Sequence, residues 1–186
     1  RAPFEQIQIV ASKTADAAWR ATQKIRDYES SPVVAMRQRD VTIRYRKPAP
    51  EDVRQARELL ALPRKEREAI NKRSSSVAEK TVLFAGPDGP KTEDVLIQAI
   101  RIGEQAIVSM PFEVLVEIGL EIKAKSPFPN TFLIELANGG YGYLPPPNQH
   151  ELGGYETWLG TSSFERDTSV ILTRHLLEML AELLAL

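Results

Sequence analysis

The sequence predicts an α/β fold: a small mixed β-sheet flanked by helices, with a long helix at each end. Three patterns carry that expectation. Apolar residues recur at 3–4-residue spacing near both termini, and they alternate every second residue around 41–46. Between 95 and 136 they form short runs punctuated by Gly and Pro. With 186 residues the chain suits a single domain, 1–186, or the carboxyl-terminal portion of a larger one. Its first part, 1–90, reads as mainly helical and charged, and 91–186 as the α/β part.

Residues 4–29 read as an amphipathic helix, because Phe4, Ile7, Val10, Ala11, Thr14, Ala18, Ala21 and Ile25 trace one face to be buried. Ser30, Ser31 and Pro32 stop it. Val41, Ile43 and Tyr45 alternate with Thr42, Arg44 and Arg46, as in a strand with one wet face. Helical sequence then runs from 51 to 81, broken at Pro63. After a turn at 86–90, Val95–Ile102 and Gln105–Ser109 read as a hairpin across Gly103-Glu104. Pro111 suits the first position of a helix over 111–125, whose core face is Val114, Leu115, Ile118 and Ile122. Thr131–Leu136 is a third strand of this part, followed by a Gly/Pro-rich loop to about 162. A helix over 167–185 carries Val170, Leu172, Leu176, Leu177, Leu180 and Leu184 on a wide apolar face.

Hydrophobic residues make up 42% of the chain and charged residues 26%, which excludes a disordered tail and a collagen-like fibre. No run of 18 apolar residues occurs, so no transmembrane segment is expected. Cysteine is absent, which removes thiol catalysis, disulfides and Cys-based zinc sites. The net charge of −1 gives no global pull toward nucleic acid. Locally, residues 37–80 hold 13 Lys/Arg against 7 Asp/Glu. Tyr45 is the lone aromatic there, so the stacking platforms of a single-strand binder are missing and a solvated helix pair is the better reading. The chain begins at Arg1 without an initiator Met, and it reads as part of a longer polypeptide.

Two segments depart from ordinary patterning. In Ser109-Met110-Pro111-Phe112-Glu113 an apolar strand turns toward a helix that opens with a carboxylate. In Asn138-Gly139-Gly140-Tyr141-Gly142-Tyr143-Leu144-Pro145, glycines and aromatics directly follow another strand. Ligands of open α/β sheets bind beyond the carboxyl ends of strands, so the two segments are expected to converge on one cleft. On the residues alone Glu113 is better explained as a carboxylate favoured in a first helical turn, while Tyr141 and Tyr143 are as well explained as aromatics covering a sheet edge. Glu117 and Glu121 read as solvated, near Lys123 and Lys125. His150 and His175 are the only histidines, and no second one stands near either, so a complete catalytic zinc site within this chain is not expected.

Three motifs in order carry a resemblance: Ala106-Ile107-Val108-Ser109-Met110-Pro111-Phe112-Glu113-Val114, then Glu135-Leu136-Ala137-Asn138-Gly139-Gly140-Tyr141-Gly142-Tyr143-Leu144-Pro145, then Gly153-Gly154-Tyr155-Glu156. Over about 92–182 the chain resembles the neutral/alkaline non-lysosomal ceramidase family, and in particular its bacterial relatives. That resemblance implies a zinc-dependent amidohydrolase that cleaves the N-acyl bond of a lipid amide such as ceramide. It carries the family's glutamate and tyrosine zinc ligands onto Glu113 and Tyr143, and it gives Tyr155-Glu156 a loop-ordering role. It implies that Tyr143 binds as phenolate or acts as a donor to the tetrahedral oxyanion. It further implies an amino-terminal half of the catalytic domain that supplies two histidine ligands, and a secreted or periplasmic location. His150 and His175 do not occupy the histidine positions, so the chain alone is expected to bind zinc weakly or not at all and to be inactive. The alternative is a non-catalytic structural or interaction domain that keeps the fold without the reaction.

Overall fold

The computed structural model describes residues 2–70 and 72–186; Arg1 and Asn71 lie outside the described residues. Two compact units divide the chain, one up to Pro32 and the other Val33–Leu186. The first unit contains helix α1, Glu5–Thr22, shorter than the 4–29 span expected. None of its residues is buried, so the apolar face that periodicity predicts is a face without burial. Amphipathic spacing specifies which side would be covered, and only a partner covers it.

The second unit is mixed α/β. A four-stranded sheet runs in the order β1-β2-β3-β5. Its strands are β1 (Val34–Arg44), β2 (Thr92–Ile102), β3 (Gln105–Ser109) and β5 (Asn130–Ile134). The first three form an antiparallel meander, and β3 pairs with β5 in parallel. The 103–104 turn is tight, and Gly103 has a positive φ of 58°. β1 begins seven residues before the expected strand, because all of Val34–Arg44 finds partners on the equally long β2.

Alternation along the strands aims Val41, Ile43, Val95, Ile97, Ala99, Ala106 and Val108 at one face, where all are buried. Helix α7, Thr168–Leu184, lies on that face with Leu172, Leu176, Met179, Leu180 and Leu183 buried against it. Val170 and Leu184, expected in the apolar face, are exposed instead. Helix α7 is secured at its end by Arg101, whose guanidinium donates to the Leu183 carbonyl at 2.9 Å. On its polar side Arg39 pairs with Glu178 at 2.8 Å and with Glu182, and its Nη1 lies 3.2 Å from His175 Nδ1.

The charged stretch forms α2 (Pro50–Ala61), α3 (Arg64–Ile70) and α4 (Lys72–Ala85), with the expected break at Pro63. Of the basic residues between 37 and 80, Arg37 and Arg39 reach α7, Arg54 pairs with Glu51, and Arg46 turns inward, so these four do not form one patch.

The largest departure from expectation lies at 111–125. Residues Glu113–Val114 form a short strand, β4, and helix α5 starts only at Val116 and runs to Lys125. Proline permits a helix start and does not compel one. Here Glu113 and Leu115 give their N–H groups to the Gly142 and Leu144 carbonyls, at 2.9 and 3.4 Å, which holds the chain extended. Glu113 is therefore not in a first helical turn, and the dipole argument for it lapses. Leu115 is only half-buried, whereas Ile118 and Ile122 are buried as expected. Beyond β5 the loop contains β6 (Tyr143–Leu144), a short helix α6 (Pro147–Leu152) and a 3-10 turn at Tyr155–Thr157.

Candidate functional site

The two unusual segments are joined rung by rung through their backbones. Met110 N–H donates to the Ile134 carbonyl at 3.2 Å and Leu136 N–H to the Phe112 carbonyl at 3.0 Å. Tyr141 N–H then reaches the Pro111 carbonyl at 2.9 Å. β4 and β6 pair in parallel with Glu113 opposite Tyr143 and Val114 opposite Leu144. Phe112 is buried and packs 5.7 Å from the Tyr141 ring, while Glu113 alternates outward and is half-buried. The two segments thus meet in the tightest form open to two strands, a register pair.

Gly142 makes that pairing possible. Its φ is +86°, and an added Cβ would stand 2.3 Å from the Thr161 carbonyl oxygen, so no side chain fits. The same Thr161 carbonyl accepts the Tyr143 N–H at 2.9 Å. One backbone oxygen therefore both demands the glycine and sets the height of the tyrosine.

Tyr143 and Glu113 also interact through their side chains. Hydrogen bonding toward the Glu113 carboxylate raises the phenol's pKa above the ordinary value. Desolvation and the charges of Glu113 and Glu156 act in the same direction. As the chain stands, the phenol keeps its proton. The Tyr155 ring meets Tyr143 edge-on at 5.7 Å, and Trp158 meets Tyr155 at 5.5 Å, so an aromatic row borders the pair. Glu117, read as solvated, instead accepts from Gln149 at 2.6 Å and ties α5 to α6; Glu121 pairs with Lys125 at 2.6 Å.

Behind this seam lies a cluster that sequence reasoning missed. The Arg46 guanidinium donates to the Thr157 and Ser162 carbonyls, both at 2.9 Å, and lies 3.4 Å from His150 Nδ1. Lys80 Nζ donates to the Gly160 carbonyl at 3.0 Å and to Ser163 Oγ at 3.2 Å. These two cations fix 157–163, the segment that presents Thr161. Burial holds Arg46 below its usual pKa, and burial together with the charges of Arg46 and Arg166 pushes His150 down to about 4. His150 is neutral, buried and turned to a cation, and His175 stands beside Arg39 and Glu178. Neither is brought to Glu113 and Tyr143 by any contact described. No sequence signal marks Arg46, because its acceptors lie more than a hundred residues away and are backbone carbonyls.

Among the described residues, no group of three or more His, Cys, Asp or Glu stands close enough to hold a metal ion. No helix of the described residues is long and apolar enough to cross a membrane.

No family model matches the sequence, and no curated protein does. Among solved structures, the chain is similar to the neutral ceramidase from Pseudomonas aeruginosa, at 18% identity and a TM-score of 0.52, over 83% of this chain and 29% of that one. It is also similar to a ceramidase complexed with C2, at 19% identity and a TM-score of 0.46, over 67% of this chain and 20% of that one. The chain therefore spans less than a third of the length of either structure. At this identity the likeness speaks to architecture: the chain has the α/β fold of a portion of neutral ceramidase.

Proposed function

We propose that the chain is the carboxyl-terminal portion of a ceramidase-like hydrolase domain, zinc-dependent and acting on the N-acyl bond of a lipid amide. The observation that carries this reading is the register pairing of Glu113 with Tyr143 on a fold shared with neutral ceramidase. The motifs that align these residues with the family's oxygen ligands are the ones the backbone binds into one seam.

The donors present suit half of a zinc site. A carboxylate and a phenol oxygen stand side by side, and four-coordinate zinc accepts such oxygens beside imidazole nitrogens. Glu113 and Tyr143 would hold the ion, and two histidines from the amino-terminal half would complete it. Zinc there would polarise the amide carbonyl and bring a bound water's pKa toward about 7. The chain's own residues have narrower tasks. Glu113 supplies the negative charge, and Tyr143 carries a proton that it holds toward Glu113. Thr161, Arg46 and Lys80 keep the tyrosine at its height. A phenol with a raised pKa gives up its proton only against a strong positive charge, so full ligation by Tyr143 requires the complete site. A secreted or periplasmic location accompanies this reading.

A non-catalytic domain of the same fold is the second reading, because the backbone pairing of β4 with β6 by itself accounts for Glu113 standing opposite Tyr143. Calorimetric zinc titration of the isolated chain and of the complete protein, beside N-acyl amide hydrolysis, separates the two. The hydrolase reading expects weak binding by the chain alone. It expects stoichiometric binding and activity in the complete protein, both lost in Glu113→Gln and Tyr143→Phe. Tight binding that survives both substitutions would place the metal on other residues. A complete protein with neither zinc nor activity would leave the non-catalytic reading standing.

A further inference from the structure

The sheet has two faces, and only one is covered by α7. Register places Met36 opposite Ile100, Ile100 opposite Ile107, and Ile107 opposite Phe132, an apolar row across all four strands on the other face. Val34, Ile102 and Ile134 widen it. Exposure there is high: Val34 69%, Met36 49%, Ile102 43%, Phe132 37% and Ile134 45%. Val116 and Leu120 of α5, both exposed, line a groove with Phe132 and extend the patch. Isolated apolar residues on a surface are ordinary, whereas a row across a whole sheet marks an interaction surface.

We propose that this face is the seat of a polypeptide layer from the amino-terminal half of the same hydrolase domain, the half that would carry the nitrogen ligands. The inference rests on the hydrolase reading for the identity of the occupant. Three observations select it. On the strands, the charged positions of this face, Asp40, Arg44 and Asp94, lie at the end of β1 and β2 away from the apolar row, and the one Lys of the adjoining groove, Lys123, shares it with Glu135. A surface for an anionic membrane would carry basic residues around its apolar centre. The face also runs into the seam: Ser109 and Ile134 end on it, and Asn138 of the glycine loop donates to Gln98 on it at 2.9 Å. Finally, most of the matched neutral ceramidase chain lies outside the matched portion, so its architecture holds ample further polypeptide. A layer seated here would end beside Glu113 and Tyr143, where the two further ligands are required.

The test is site-specific photocrosslinking in the complete protein, expressed in its own cells. A benzophenone side chain replaces Phe132 or Ile100, Val170 on the outer side of α7 serves as control, and crosslinked peptides are identified by mass spectrometry. The expected result is that both positions crosslink to one polypeptide segment of the half whose histidines, when substituted, abolish zinc binding. Crosslinks to a second copy of this chain, to lipid, or to nothing above the Val170 control overturn the proposal. A second arm uses the Ile100→Glu, Phe132→Glu double variant. It should leave the circular dichroism of the isolated chain unchanged and cause loss of stoichiometric zinc from the complete protein; retention of zinc also overturns the proposal. Failure of the hydrolase reading looks different: the crosslinks would converge on one segment of the same polypeptide while zinc and hydrolysis are absent from the unsubstituted protein.

Discussion

Two polar constellations meet on one segment, 160–162, and they have opposite characters. The Glu113–Tyr143 seam is half-exposed and held by backbone pairing, and its carboxylate and phenol act on each other. The Arg46–His150–Lys80 cluster is drawn inward, and its donors are consumed by backbone carbonyls of 157–162. One group has chemistry to offer and little structural duty. The other has structural duty and little chemistry to offer. Titratable residues gathered in a fold are thus not equivalent evidence of a site; what their hydrogen bonds are already doing decides which is which.

The sharpest way to break this contrast is Gly142→Ala, which acts on both groups. A left-handed backbone costs about 1–3 kcal/mol for a residue with a side chain, and the Cβ would also meet the Thr161 oxygen at 2.3 Å. Thermal or urea denaturation should show a loss above about 3 kcal/mol. An alanine variant of unchanged stability would mean that the 142–161 contact is not maintained.

Next in size is Arg46→Met, which leaves the Thr157 and Ser162 carbonyls without their donor. Hydrogen bonds to charged groups contribute about 1.5–3 kcal/mol, so the denaturation midpoint should fall accordingly. Zinc binding by the complete protein should weaken as well, because Thr161 positions Tyr143. A stability loss with unaltered zinc affinity would sever the cluster from the seam.

A smaller effect is expected from pH. The folded-state pKa of His150 is depressed to about 4, below the ordinary value near 6.5, so the unfolded chain takes up a proton that the folded chain refuses. Stability from this group is therefore present above pH 6.5 and is lost as pH falls toward 4. His150→Gln should reduce the difference in unfolding free energy between pH 7 and pH 4.5 by on the order of 1 kcal/mol. An unchanged difference would show that the imidazole is free to charge in place.

The smallest stability change belongs to the seam itself. Tyr143→Phe and Glu113→Gln should each lie within about 0.5 kcal/mol of the parent, as substitutions at half-exposed positions usually do. A loss above about 2 kcal/mol in either would make the pair structural, and the contrast with the Arg46 cluster would collapse.

The sequence by itself determined the α/β class, the terminal helices, the 95–109 hairpin, the break at Pro63 and the two segments that meet at the seam. These rest on periodicity and on Gly/Pro chemistry, which are local properties and are written in neighbouring residues. Tertiary structure decided the rest. Whether 111–115 is helix or strand depended on the Gly142 and Leu144 carbonyls, about thirty residues away, and they hold it extended. Whether an amphipathic face is buried depended on a partner, which α7 has in the sheet and the outer face of that sheet does not have among the described residues. The need for glycine at 142 came from one oxygen of Thr161, and the fate of Arg46 from two carbonyls near it. Backbone acceptors have no residue identity, so contacts of this kind leave no mark in a sequence and become readable only when distant segments are brought together.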